Sequence, residues 1–251
     1  MKTIKEILEL RKKILETYPE LSPIGVELIL SSAVEYNPEL SLDSFFKWLN
    51  DLNEKVTFEI EFTPLSKLKN WKVEENGNIK HESGRFFSIE GIHVKATINN
   101  LTKEWDQPII NQPEVGFLGI LCQERNGILC FLMQGKIEPG NVNKIQLSPT
   151  LQATKSNFTQ VHGGNVPKFL EYFKDEVFGK KIIVDQLQSE QGARFLKKRN
   201  RNMIIQMDQS IELDVPDNFC WLTLNQLKTL LNYPNLINMD TRTVLSCIQI
   251  I

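Results

Sequence analysis

The sequence predicts an α+β protein: a short all-helical segment over residues 1–55, then a larger unit over 56–251 in which a β-sheet is flanked by helices. Two features carry this. Apolar residues recur at helical spacing up to about Leu49, then switch at Val56 to strict alternation. From there, alternating stretches are punctuated by Asn76-Gly77 and Asn126-Gly127, the dipeptides that close tight hairpins. With 251 residues and 41% hydrophobic content, the chain is long enough to bury one sizeable core.

Taken in order, Thr3-Ile4-Lys5-Glu6 is a capping box, and Ile4, Ile7, Leu8, Ile14 and Leu15 follow on one helical face to about Tyr18. Ser22-Pro23 caps a second helix, expected to reach Tyr36 before Asn37-Pro38 stops it. Ser41 caps a third that carries Phe45, Phe46 and Leu49. With no convergent chemistry, the three helices read as a packing or dimerisation element. Val56, Phe58, Ile60 and Phe62 alternate with Thr57, Glu59, Glu61 and Thr63, the pattern of a half-buried strand. Trp71–Val73 and Asn78–Lys80 flank a hairpin turn, and Ile92, Val94, Ala96 and Ile98 mark another strand. Gly116–Gln123 and Ile128–Lys136 are more apolar and should form the sheet centre. Pro167 opens a helix expected to end at Gly179, with Phe169, Leu170 and Phe173 on one face. Ile182–Leu187 reads as a buried strand, Ser189 as the start of a basic helix, and Met203–Met207 as a strand. Thr223–Gln226 is a capping box for a helix through Leu231, and a last helix covers Asp240–Ile248.

The formal charge of −2 supplies no footprint for polyanion binding, so no nucleic-acid partner is expected. Cys122, Cys130, Cys220 and Cys247 lack metal-ligand spacing and should be reduced, mostly buried thiols. The charged N-terminus lacks a signal peptide's apolar run, and no stretch approaches the roughly 18 apolar residues of a spanning helix. The expectation is a soluble cytoplasmic protein without a membrane partner.

Two stretches carry candidate chemistry. Between Met133 and Asn157, the residues Gln146, Ser148, Thr150, Gln152, Thr154 and Ser156 fall on one face of an extended segment, with Leu147, Leu151 and Ala153 on the other. A comb of short, neutral hydrogen-bonding groups suits a sugar ring or a base edge, and suits a solvated strand equally. Pro149 requires an edge position or a bulge. In the second stretch, Arg194, Lys197, Lys198, Arg199 and Arg201 crowd together with no acid among them. On a helix from Ser189, residues 194, 197, 198 and 201 would share a face, which is either a solvated surface or an anion site. His162, in a Gly-rich loop after the comb, titrates near neutrality and is a candidate base. Glu138 and Glu190 are the matching carboxylate candidates.

The blocks ESGRFFSIEG (82–91), WDQPIINQPEVGFLGIL (105–121), FLMQGKIEPGN and QLSPTLQATKSNF (131–158), QSEQGARFLKKRNRNM (188–203) and NMDTRTVLSC (238–247) resemble the signature blocks of the NDP-hexose 2,3-dehydratases over roughly residues 56–251. The resemblance implies a Nudix-like fold with a mixed sheet and flanking helices, without the acidic magnesium box, for which Lys174–Glu176 offers only a lone acidic pair. It implies loss of water across C2 and C3 of a nucleotide-linked 4-keto-6-deoxyhexose, usually dTDP-linked, with no redox cofactor and no metal. On this reading Gln146, Ser148, Thr150 and Gln152 hold sugar hydroxyls or the enolate oxygen, and Arg194, Arg199 and Arg201 hold the diphosphate. Trp105 stacks on the nucleobase, and His162 or Glu190 is the base. Family members are similar to two such units in tandem, so a homodimer is implied, and the product passes to an NADPH-dependent 3-ketoreductase. The rival readings are a non-catalytic sugar-nucleotide-binding half of a larger complex and, through the fold, a nucleoside-diphosphate hydrolase.

Overall fold

Three helices open the chain, as the helical spacing requires. The computed structural model describes residues 4–35, 37, 40–154, 166–174 and 179–250. In it α1 spans Ile4–Thr17, α2 Pro23–Ala33 and α3 Leu42–Lys55. Ser22 Oγ accepts from Gly25 N and Ser41 Oγ from Ser44 N, so both N-caps form, while Thr3 lies outside the described residues. The second helix ends at Ala33, short of Tyr36. Ile7, Ile14, Val26 and Leu30 share one apolar cluster with sheet residues such as Leu121 and Met203, and Leu28 and Phe45 join a second with Ile120 and Phe131. The helices therefore pack on the sheet.

The alternating stretch Val56–Thr63 forms no strand, which corrects the sequence reading. Its period-2 pattern is real, but a strand also needs a neighbouring backbone, and among the described residues none pairs with it. Ile60 and Phe62 are left exposed.

The next four strands make a separate antiparallel sheet in sequential order: β1 (Trp71–Val73), β2 (Ile79–His81), β3 (Ser88–Ile98) and β4 (Leu101–Asn111). β4 was not foreseen. Its side chains facing Val94 and Ile98 are Trp105 and Leu101, but Lys103 and Gln107 interrupt the pattern between and beyond them. Asn99 and Asn100, both at positive φ, turn β3 into β4. One face of this hairpin is a polar ladder, with His93 against Asp106 at 2.9 Å, Lys95 against Glu104 at 2.7 Å, and Thr97 against Thr102 at 2.9 Å. The other carries Ile92, Val94, Trp105, Ile98 and Leu101 with Lys103 and Gln107 among them, and at its tip Ile98 and Leu101 are each 72% exposed.

The main sheet has seven strands: β5 (Gly116–Arg125), β6 (Ile128–Ile137), β7 (Ile145–Ser148), β8 (Leu151–Ala153), β9 (Lys180–Ser189), β10 (Arg199–Met207) and β11 (Phe219–Thr223). Its order is β11-β6-β5-β10-β9, with β7 also on β6 and β8 also on β5. β10 runs parallel to β5 and every other pairing is antiparallel, so the sheet is mixed, as expected. Asn126 and Gly127, both at positive φ, close the central hairpin. A single turn, α4 (Leu170–Phe173), packs on one face, and α5 (Leu224–Leu230) and α6 (Met239–Ser246) pack on the other. The capping box of Thr223 with Gln226 is complete.

Three further expectations are corrected. The helix from Pro167 has only the four residues of α4 before Lys174 turns extended, because Phe173 must drop its ring onto Gly119. β9 is an edge strand with Ile182 and Leu187 exposed, not a buried one. No basic helix starts at Ser189: that residue ends β9 and pairs with Arg199, Lys197 takes positive φ, and β10 pairs with both β5 and β9, so tertiary ladders override the helical charge spacing. Cys122, Cys130 and Cys220 are buried free thiols and Cys247 is half-buried, as expected.

Candidate active site at the split of the central strands

β5 and β6 pair only where Leu121–Arg125 faces Ile128–Leu132. Beyond Leu121 and Leu132 they part, and the polar comb fills the gap: β7 runs along β6 and β8 along β5. Pro149-Thr150 is the crossing point, where a missing N–H does no harm. Thr150 is 2% exposed, its Oγ1 donating to the Leu132 carbonyl and accepting from Leu121 N at 2.9 Å. That hydroxyl closes the ladder at the split and is not among the residues lining the cavity described next. The comb is thus two short strands rather than one continuous face.

The split opens a cavity of about 230 Å³ on the α6 side of the sheet. Gly116 and Leu118 from β5, Lys136 from β6, Gln152 from β8, Glu190, Phe195 and Lys198 from the β9–β10 connection, Asn200 from β10 and Asp240 from α6 all line it. Asn200 Nδ2 donates to Glu190 Oε2 at 2.6 Å, and Gln191 N to Glu190 Oε1 at 3.3 Å, which fixes that carboxylate. Position 116 must be glycine, because a Cβ there would lie 2.2 Å from Asn200 Oδ1. Lys198 is 6% exposed and donates to the Glu114 carbonyl; burial lowers its pKa, against the opposing pull of Glu114 and Glu190.

Asp240 is the most perturbed carboxyl of the cavity. Burial, then the negative charges of Glu190 and Glu138, push its pKa up to about 6, with Lys136 opposing. Among the described residues its carboxyl accepts no hydrogen bond. Glu138 sits beside the cavity, accepting from Gln152 Nε2 at 2.8 Å and facing Lys136 Nζ at 3.4 Å. A half-buried carboxyl that titrates near neutrality, beside two ammonium groups, can take a proton from carbon while positive charge faces a developing oxyanion. No group of three or more His, Cys, Asp or Glu side chains able to hold a metal occurs among the described residues.

The sequence-derived candidates divide accordingly. Glu190 and Gln152 line the cavity, and Glu138 adjoins it. Ser148 is buried behind Gln152, donating to its Oε1 at 2.9 Å. Gln146 pairs with Lys136 on β7 without lining the cavity. Trp105 lies on β4 and does not line the cavity; its Nε1 donates to Gln107, and Gln107 in turn donates to the Ala193 carbonyl on the β9–β10 connection. The arginines are not gathered into a clamp: Arg194 and Arg199 are exposed, and Arg201 forms a bidentate pair with Asp185 at 2.7 and 2.6 Å. His162 lies outside the described residues, as do Asp175 and Glu176. Sequence reasoning passed over Lys136 and Asp240. Asp240 entered only as the first residue of the expected last helix, where an acidic side chain is ordinary.

The NDP-hexose 2,3-dehydratase family model matches residues 42–248. The chain is 49% identical over 213 residues to a dTDP-4-dehydro-6-deoxy-alpha-D-glucopyranose 2,3-dehydratase of Saccharopolyspora spinosa, covering 84% of this chain and 43% of that protein. A protein of the same description from Amycolatopsis orientalis is 45% identical, covering 88% and 47%, and one from Streptomyces violaceoruber 42%, covering 80% and 45%. The chain thus spans less than half the length of the curated relatives it matches. Among solved structures, C. elegans Ap4A hydrolase aligns at 11% identity with a TM-score of 0.34, covering 53% of this chain and 93% of that one. A chain from the complex between the C-terminal domain of mouse MUTYH and human PCNA aligns at 11% identity and a TM-score of 0.33, covering 54% and 87%. By the extent of the family match and the identity to these three relatives, the chain belongs to the NDP-hexose 2,3-dehydratase family.

Proposed function

We propose that this chain removes water across C2 and C3 of a nucleotide-linked 4-keto-6-deoxyhexose, dTDP-linked as in its relatives' names, with Asp240 as the proton-transfer group. The observation that carries the reading is a carboxyl titrating near neutrality in a cavity with two lysines. The 4-ketone acidifies the C3 proton. Asp240 takes that proton, and the electron pair moves onto the ketone oxygen, where Lys136 and Lys198 supply positive potential. The enolate then expels the C2 hydroxyl, which leaves as water with the proton from Asp240. The resulting enol tautomerises to a 3,4-diketo sugar. Gln152 and the Asn200-held Glu190 hydrogen-bond sugar hydroxyls and set the ring's orientation. No step requires a redox cofactor or a metal.

The test is incubation with dTDP-4-keto-6-deoxyglucose, NADPH and a 3-ketoreductase, followed by mass spectrometry for a 2-deoxy sugar nucleotide. Asp240→Asn, Glu190→Gln and His162→Ala in the same assay identify the base. Because the product is a reactive α-diketone, an NADPH-dependent 3-ketoreductase is its natural consumer, in 2,6-dideoxysugar formation.

The chain's share of its relatives' length favours a second reading, a substrate-binding half that works with another unit. Calorimetric binding of the sugar nucleotide without turnover would select it. The exposed apolar tip of the β3–β4 hairpin supports homodimer formation, measured by light scattering. Free buried thiols fit a reducing cytoplasm, and no described helix is long and apolar enough to cross a membrane.

A further inference from the structure

Behind the cavity wall runs a chain of hydrogen bonds with a single direction. Asn238 caps α6: its Oδ1 accepts from Thr241 N at 2.8 Å, which leaves Nδ2 to donate to Ser148 Oγ at 3.2 Å and Gln152 Oε1 at 3.4 Å. Ser148 Oγ donates to the same Gln152 Oε1 at 2.9 Å. Gln152 must therefore present its Nε2 to Glu138, which it does at 2.8 Å. Every donor points toward Glu138, which ends the chain as an acceptor beside Lys136. The same Asn238 joins the start of α6 to the sheet, its N–H donating to the Leu147 carbonyl at 2.9 Å. Asp240 sits two residues further along the helix.

We infer that Asn238 and Glu138 are positioning residues for Asp240: Asn238 anchors the helix end that carries it, and the amide relay through Gln152 holds Glu138 as a fixed carboxylate facing it. This rests on the reading of Asp240 as the proton-transfer group. The other charged groups around Asp240 are Lys136 on β6 and Glu190 and Lys198 on the β9–β10 connection. A fixed Glu138 anion makes Asp240 hold its proton more tightly, so it keeps Asp240 basic enough to act on a carbon acid.

The test follows the Asp240 carboxyl by 13C NMR on side-chain-labelled protein, its resonance assigned with Asp240→Asn, alongside the pH dependence of kcat. Glu138→Gln removes the charge and keeps the acceptor. It should move the Asp240 midpoint, and with it the rising limb of kcat, to lower pH. Asn238→Asp keeps the cap, adds a negative charge and should move both to higher pH. Asn238→Ser keeps a capping oxygen but cannot reach the relay, so kcat should fall about tenfold or more with KM within about twofold and thermal stability near wild type. Unmoved midpoints in both charge variants, or wild-type kcat in Asn238→Ser, would overturn the inference. If the wild-type protein binds substrate but does not turn it over, the catalytic reading fails, while the NMR midpoints still decide whether Glu138 and Asn238 govern Asp240.

Discussion

Replacing Thr150 by Val separates a structural hydroxyl from a sugar-binding one. Valine keeps the shape of threonine and loses the oxygen that joins Leu121 N–H to the Leu132 carbonyl at the strand split. Both groups belong to buried residues, so the hydroxyl is replaced by no water. An unsatisfied buried polar group costs about 1–3 kcal/mol, so two of them, partly relieved by relaxation of the split, should cost about 3 kcal/mol. For a chain of this size each kcal/mol lowers Tm by about 2–4 °C, so the melting temperature should fall by about 6–12 °C. KM for the sugar nucleotide, measured below the transition, should stay within about twofold, because Thr150 does not line the cavity. The reverse result, an unchanged Tm with KM raised about tenfold, would return Thr150 to the substrate face and refute the split-strand account.

Other substitutions probe other parts of the structure. Asp240→Asn should lower kcat by about 10²–10⁴-fold while leaving sugar-nucleotide binding intact by calorimetry. The folded pKa of Asp240 lies above its ordinary value of 3.8, at about 6, so its favourable contribution is full below 3.8 and is lost as pH rises through about 6. The same variant should therefore be more stable than wild type above pH 6, by about 1–2 kcal/mol, as chemical denaturation at pH 5 and pH 8 would show. Gly119→Ala places a Cβ 2.2 Å from the Phe173 ring, which must swing away; a loss of about 1–3 kcal/mol is expected by urea unfolding. Arg201→Ala breaks an exposed pair with Asp185, so stability should change by less than about 1 kcal/mol and KM by less than about twofold. A large KM increase would instead assign Arg201 to the diphosphate.

Much of the architecture was legible because it follows from local chemistry. Ser22, Ser41 and Thr223 cap helices where an oxygen meets free N–H groups, and Asn126-Gly127 turns the chain because both residues tolerate positive φ. Glu190 and Gln152 were found through their residue types and lie in the cavity wall. The misreadings share one cause, since each pattern needed knowledge of its neighbour. Val56–Thr63 alternates like a strand but pairs with no strand among the described residues, and the basic run after Ser189 had helical spacing but was drawn into a ladder between β5 and β9. Asp240 could not be recognised from its surroundings in sequence, because its burial, and then the charges of Glu190 and Glu138, come from parts of the chain far from it in sequence.

By itself, then, the sequence determined the family, the α+β class with its leading helices, the turns and caps, and the reduced state of the thiols. Each of these depends on residues within a few positions of one another, or on long blocks read as such. Tertiary structure alone decided that the polar comb divides at Pro149-Thr150, that the Thr150 hydroxyl closes the ladder, and that Lys136, Lys198, Glu190 and Asp240 converge on one cavity. The physical reason is that burial and charge act through space: a carboxyl acquires its proton affinity from the side chains and solvent the fold places around it, and chain spacing carries no record of either.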